Sequence, residues 1–154
     1  LSPEEKINAL TAISKTIDPA VFEDMLVKDT LQTVAAIKSI QQFNGELGCG
    51  RYIISQCNSA LNAIEVFALF LLNGWKPEDI KVDIVPLFET VEDLLQAETS
   101  MRGLYTNPVY AAHLKRRKMG KQILAAVIRR DESETLGVVE PLHGTCCHKP
   151  LSSC

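Results

Sequence analysis

The chain has 154 residues, 46% hydrophobic and 23% charged, a composition that suits one folded domain and argues against a disordered chain. A formal net charge of −3 gives no general attraction to nucleic acid or to an anionic membrane. The opening Leu1-Ser2-Pro3 carries neither an initiator methionine nor an apolar targeting stretch. The longest apolar run, Val66 to Leu72, is far below the roughly 20 residues of a spanning helix. A cytoplasmic protein without membrane or nucleic-acid partners is therefore expected, its start cut from something longer.

Ser2-Pro3-Glu4-Glu5 is a capping box with proline at the first helical position, and predicts a helix through Ser14. Asp18-Pro19 predicts a second, short helix to Leu26. Leu31, Val34, Ile37 and Ile40 recur every three residues, which predicts an amphipathic helix over 30–43 closed by Asn44-Gly45. Arg51 to Ser55 is β-branched and aromatic and reads as a strand. Residues 59–72 are apolar on nearly every face, as in a helix buried inside something larger, and stop at Asn73-Gly74.

Ile80 to Leu87 reads as a second strand, whose Pro86 should fall near the strand's end or on a sheet edge. Thr90-Val91-Glu92-Asp93 is a capping box with aspartate in the last place, opening a helix to Leu104. Asn107-Pro108 opens another to Lys118, and Lys121 to Ile128 is strand-like again. Strands alternating with helices imply parallel strands joined by helical crossovers, so the fold class is α/β and helix-rich. The arrangement suits a barrel or an open α/β sheet, and three strands are too few to close a barrel, which needs about eight, so the pattern reads as an incomplete domain.

Glu89 stands where the second strand ends and the next helix begins. That carboxyl edge is where parallel α/β folds collect their ligands, and a carboxylate there can hold a hard divalent cation. The competing reading is that Glu89 only favours the positive end of the following helix, worth about 0.3–1 kcal/mol. The basic run Lys115-Arg116-Arg117-Lys118 ends a helix, where cations offset the negative helix end on a solvated face, or bind phosphate. Five cysteines show no disulfide spacing; Cys49 and Cys57 read as small core residues. His143, Cys146, Cys147, His148 and Cys154 are metal-ligand types, but adjacent cysteines suit one tetrahedral ion poorly. His113 has no nucleophile motif beside it, and no glycine-rich phosphate loop joins a strand to a helix.

Several stretches resemble the bacterial type of phosphoenolpyruvate carboxylase. They are Asn44-Gly45-Glu46-Leu47-Gly48-Cys49, Arg51-Tyr52-Ile53-Ile54-Ser55, Ser59-Ala60-Leu61-Asn62, Val85-Pro86-Leu87-Phe88-Glu89-Thr90-Val91-Glu92-Asp93-Leu94, Tyr105-Thr106-Asn107-Pro108 and Gly120-Lys121-Gln122. The likeness covers about residues 2–123, and Pro86 to Thr90 is its most specific part. It implies a mostly helical enzyme around a (β/α)8 barrel, typically a homotetramer. The family joins bicarbonate to phosphoenolpyruvate, giving oxaloacetate and phosphate, with Mg2+ or Mn2+ as cofactor. Glu89 matches the glutamate that ligands the metal.

The family's second metal ligand, an aspartate in a Ser-Asp-rich turn, has no match here, because Leu124 to Glu132 departs from that motif and Asp131 does not take its place. The catalytic histidine and phosphate-binding arginines have no counterpart either. Residues 1–128 are thus read as part of the barrel domain with its N-terminal helices, and 129–154 as a divergent, disordered tail. Codons for Ile128 to Ser133 can be chosen that give Ser-Asp-Gly-Thr-Lys when read one base later, so out-of-frame translation is one reading of the tail. The chain alone is expected to be inactive. The alternative is a small non-enzymatic binding protein that uses the basic run 115–118 or the Cys/His tail.

Overall fold

A computed structural model of the protein describes residues 1–117 and the backbone pairing of 124–125. Eight elements carry the fold: α1 (Pro3–Thr11), α2 (Met25–Asn44), β1 (Arg51–Ile54), α3 (Ala60–Leu72), β2 (Asp83–Phe88), α4 (Val91–Thr106), α5 (Pro108–Arg116) and β3 (Leu124–Ala125). The strands lie side by side in the order β1-β2-β3, and both pairings are parallel. This is the helix-rich α/β alternation that the sequence predicts, with α3 crossing from β1 to β2 and α4 and α5 from β2 to β3.

Helix starts follow the capping chemistry. Ser2 and Glu5 form the reciprocal box that opens α1, and Thr90 and Asp93 form the one that opens α4. The sequence reading fails around Asp18. That residue caps only a single 3-10 turn, Pro19–Val21, and Phe22 is already extended. The next cap is Asp24, whose Oδ1 accepts from Leu26 N at 2.8 Å and Val27 N at 3.4 Å. Leu26 therefore belongs to α2, which starts five residues before the predicted Thr30. Gly45, at φ 75°, closes α2 in a conformation that a side chain would oppose.

Strand β2 lies between β1 and β3, so Pro86 is inside a central strand and not at an edge. Hydrogen-bond direction explains how proline is tolerated there. Asp83 N donates to Gly50 O at 2.9 Å, and Leu87 O accepts from Cys57 N at 3.1 Å. Residues 83, 85 and 87 therefore aim their backbone groups at the β1 side, and residues 84, 86 and 88 at the β3 side. The described pairing with β3 begins only at Leu87, so the missing N–H of Pro86 faces a place where no ladder partner stands among the described residues. On the same side, Ile84 O accepts from the Tyr110 hydroxyl at 3.4 Å.

Helix α3 is covered largely by this chain's own elements. It packs against α1, α2, α4 and β2, and buries Ala63, Ile64, Phe67, Ala68, Phe70 and Leu71. Phe67 meets the Tyr110 and His113 rings edge-on or nearly so, at centroid distances of 5.8 and 5.4 Å. Ile80, Val82, Ile84 and Phe88 complete this core. Ile80 to Val82 precede the ladder, which begins at Asp83 opposite Arg51.

Candidate functional site

The carboxyl ends of β1 and β2 lie side by side, with Ile54 level with Pro86. Glu89 leaves β2 one residue after Phe88 and directly precedes Thr90, the N-cap of α4. The side chain is half-buried at that edge. One oxygen, Oε2, accepts from the backbone N–H of Gln56 at 2.9 Å. The other has no hydrogen-bond partner among the described residues. A carboxylate with one oxygen tied and one open, at the ligand edge of a parallel sheet, has the donor chemistry of a monodentate ligand to a hard cation. Among the described residues, no three His, Cys, Asp or Glu side chains are grouped as a complete metal site. Glu89 thus fits as one ligand of a set.

Gln56 is the residue that sequence reasoning missed. The strand reading stopped at Ser55, and nothing in the side chain of Gln56 signals a role, because its backbone makes the contact. Its φ of 52° lies in the left-handed region, which non-glycine residues seldom occupy. The loop that follows is fastened at several points. Cys57 N donates to Leu87 O, Asn62 Oδ1 accepts from the N–H groups of Asn58 and Ser59, and Ser100 Oγ donates to Asn58 O at 3.4 Å.

The opposite end of the sheet holds ion pairs that the sequence did not announce. Arg117 Nε donates to Asp83 Oδ1 at 2.7 Å, and Arg117 Nη1 pairs with Glu46. The Arg117 side chain is only 15% exposed, and Asp83 only 10%. Arg117 holds the Glu46 carboxyl below the usual carboxylate range, chiefly through that hydrogen bond. Arg116 donates to Pro77 O at 2.8 Å. The reading of 115–118 as a wholly solvated or phosphate-binding face is corrected at Arg117, which is tied to two carboxylates of its own fold; Lys118 lies outside the described residues.

His113 is fully buried, and neither ring nitrogen has a hydrogen-bond partner among the described residues. Burial, with Arg116 and Arg117 nearby, pushes its pKa down to about 4, against weaker opposition from Asp83 and the Val82 backbone. It is a neutral core ring. Cys57 is buried, and burial raises its thiol pKa, as befits an inert core residue; Cys49 is half-buried. The tail candidates His143, Cys146, Cys147, His148 and Cys154, and Asp131, lie outside the described residues.

Comparison with known proteins decides the family. The model of the family described as phosphoenolpyruvate carboxylase matches residues 3–125. The chain belongs to the phosphoenolpyruvate carboxylase family. The carboxylase of Trichormus variabilis is 34% identical over 121 residues, covering 74% of this chain and 12% of that protein. That of Synechocystis sp. is 33% identical over 121 residues, with the same coverage, and that of Thermus sp. 34% over 119 residues, covering 76% of this chain and 13% of the relative. The chain thus spans about an eighth of the length of the carboxylases it matches. The family match contains β1, β2, the Gln56 loop and Glu89, and ends at Ala125. No helix among the described residues is long and apolar enough to cross a membrane.

Proposed function

We propose that this chain is the part of a phosphoenolpyruvate carboxylase barrel that supplies one metal-ligating carboxylate, Glu89. The observation that carries the reading is the placement of Glu89 at the carboxyl edge of β2, inside the family match, with one oxygen open. When bound there, Mg2+ or Mn2+ would supply positive charge to substrate oxygens on which negative charge develops. The chain's own contribution is to hold Glu89 in position. The β1–β2 ladder sets where the strand ends, the Thr90–Asp93 box fixes the start of α4, and the Gln56 N–H aims the carboxylate.

The barrel reading, with 1–128 as one piece of it and 129–154 as a divergent tail, belongs to the same proposal. It is supported by the parallel order of the strands and by apolar side chains left uncovered. Ile53, on the face of β1 opposite the core-packed Tyr52 and Ile54, is 51% exposed, and Phe43 and Leu47 are almost fully exposed, as residues that further strands and helices would cover. Phosphoenolpyruvate and bicarbonate as substrates, oxaloacetate as product, and a cytoplasmic homotetramer are the family properties it would share.

By itself the chain is proposed to be inactive, because one carboxylate cannot hold the cation tightly and no proton-transfer or phosphate-binding set accompanies it among the described residues. Two measurements test this. Oxaloacetate formation by the isolated chain with phosphoenolpyruvate, bicarbonate and Mg2+ should stay at background, and turnover would refute the incompleteness. Added Mn2+ should broaden amide resonances around Glu89 and Gln56, and Glu89→Gln should remove that effect. Broadening centred elsewhere, unchanged by Glu89→Gln, would refute the ligand assignment.

A further inference from the structure

We infer that Gln56 is a positioning residue for Glu89, acting through its backbone N–H and a left-handed conformation held by the loop around it. The inference rests on the reading of Glu89 as a metal ligand and adds what sets that ligand's orientation. A carboxylate at a strand end rotates about its terminal bond, so a ligand oxygen is aimed only if the group is tied. The tie is the 2.9 Å hydrogen bond from Gln56 N to Glu89 Oε2, which leaves the second oxygen as the one offered outward.

Two observations indicate that this tie is built in. First, Gln56 reaches it only by taking φ 52°, a conformation that costs a non-glycine residue free energy unless its surroundings impose it. Second, the surroundings do impose it. The next residue, Cys57, is buried, and its N–H donates to Leu87 O, so the β1 chain is turned across the end of β2 two residues before Glu89. Asn62 Oδ1 gathers the N–H groups of Asn58 and Ser59, and Ser100 on α4 reaches Asn58 O. The loop is therefore anchored to β2, α3 and α4, Cys57 supplies the donor that Leu87 O takes, and the Gln56 N–H is left to Glu89. The Gln56 side chain itself is exposed and carries none of this.

The test separates the backbone from the side chain. On the full 154-residue chain, Mn2+ affinity is read from the broadening of amides near Glu89, with thermal unfolding as the fold control. Gln56→Gly keeps the N–H and relieves the left-handed strain, and should bind Mn2+ at least as well as wild type. Gln56→Val keeps the N–H but disfavours positive φ, and should weaken Mn2+ binding about ten-fold or more, the scale of one hydrogen bond to a charged group. In both wild type and Gln56→Gly, the residue-56 amide should exchange slowly with solvent deuterium, and Glu89→Ala should make it fast. Gln56→Val binding Mn2+ as wild type does, in a folded protein, would overturn the positioning role while leaving Glu89 as ligand. Loss of the Mn2+ effect from wild type itself would overturn the ligand reading and the positioning role together.

Discussion

Replacing Arg117 with methionine isolates the ion-pair network beneath the sheet, because methionine keeps much of the aliphatic stem while removing the charge. Asp83, at the first position of β2, would then be left with its carboxylate only 10% exposed and without its cation. Breaking a fully buried pair by removing one partner costs about 3–5 kcal/mol, and the partial exposure of Glu46 and Arg117 lowers the expected loss to about 2–3 kcal/mol. Urea unfolding followed by circular dichroism would measure it, as a lower midpoint at unchanged slope. The internal control is the Arg102–Glu98 pair on α4, whose side chains are 72% and 82% exposed. Arg102→Met should cost less than about 0.5 kcal/mol, as exposed i,i+4 pairs do. Adding Asp83→Asn to Arg117→Met should recover part of the loss, since no buried charge then remains. If Arg117→Met costs no more than Arg102→Met, Arg117 is not structural, and the helix end is free for the binding role read from sequence.

Burial lowers the pKa of His113 to about 4 in the folded chain, against an ordinary value near 6.5, so the unfolded chain takes up the proton first. Its contribution is therefore fully present above pH 6.5 and is lost as pH falls toward 4; His113→Phe should flatten that part of the stability profile, and an unchanged slope would refute the assignment. Phe67→Ala empties the centre of the core between Tyr110 and His113 and should cost about 3–5 kcal/mol by urea unfolding. Thr90→Ala removes the side chain that accepts from Asp93 N at 3.0 Å, and should lower stability by about 1 kcal/mol in the same assay.

What could be read from the sequence was local chemistry. The Ser2–Glu5 and Thr90–Asp93 boxes, the Asn44-Gly45 and Asn73-Gly74 stops, and the strand–helix alternation all act over a few residues, and the structure bears each of them out. Asp18-Pro19 misled because two capping aspartates, Asp18 and Asp24, compete within seven residues, and the second governs the long helix. Pro86 falls two residues before the end of β2, as its reading allowed, and its place in a central strand is tolerated because its missing N–H faces no ladder partner among the described residues. Glu89 was legible from its place between strand and cap. Gln56 was not, because its contact is a backbone N–H set by loop geometry. Arg117 was not, because Glu46 and Asp83 are 71 and 34 residues away along the chain.

The proposed function stands on Glu89 as a metal-ligating carboxylate of a carboxylase barrel. It is tested most directly by exchanging residues 3–125 into the corresponding stretch of the Trichormus variabilis carboxylase and measuring phosphoenolpyruvate- and bicarbonate-dependent oxaloacetate formation over a range of Mn2+ concentrations. The chimera should turn over, and the folded Glu89→Gln chimera should lose that turnover by orders of magnitude, with a higher Mn2+ requirement for whatever activity remains. A Glu89→Gln chimera that works at the same rate and the same Mn2+ concentration would contradict it.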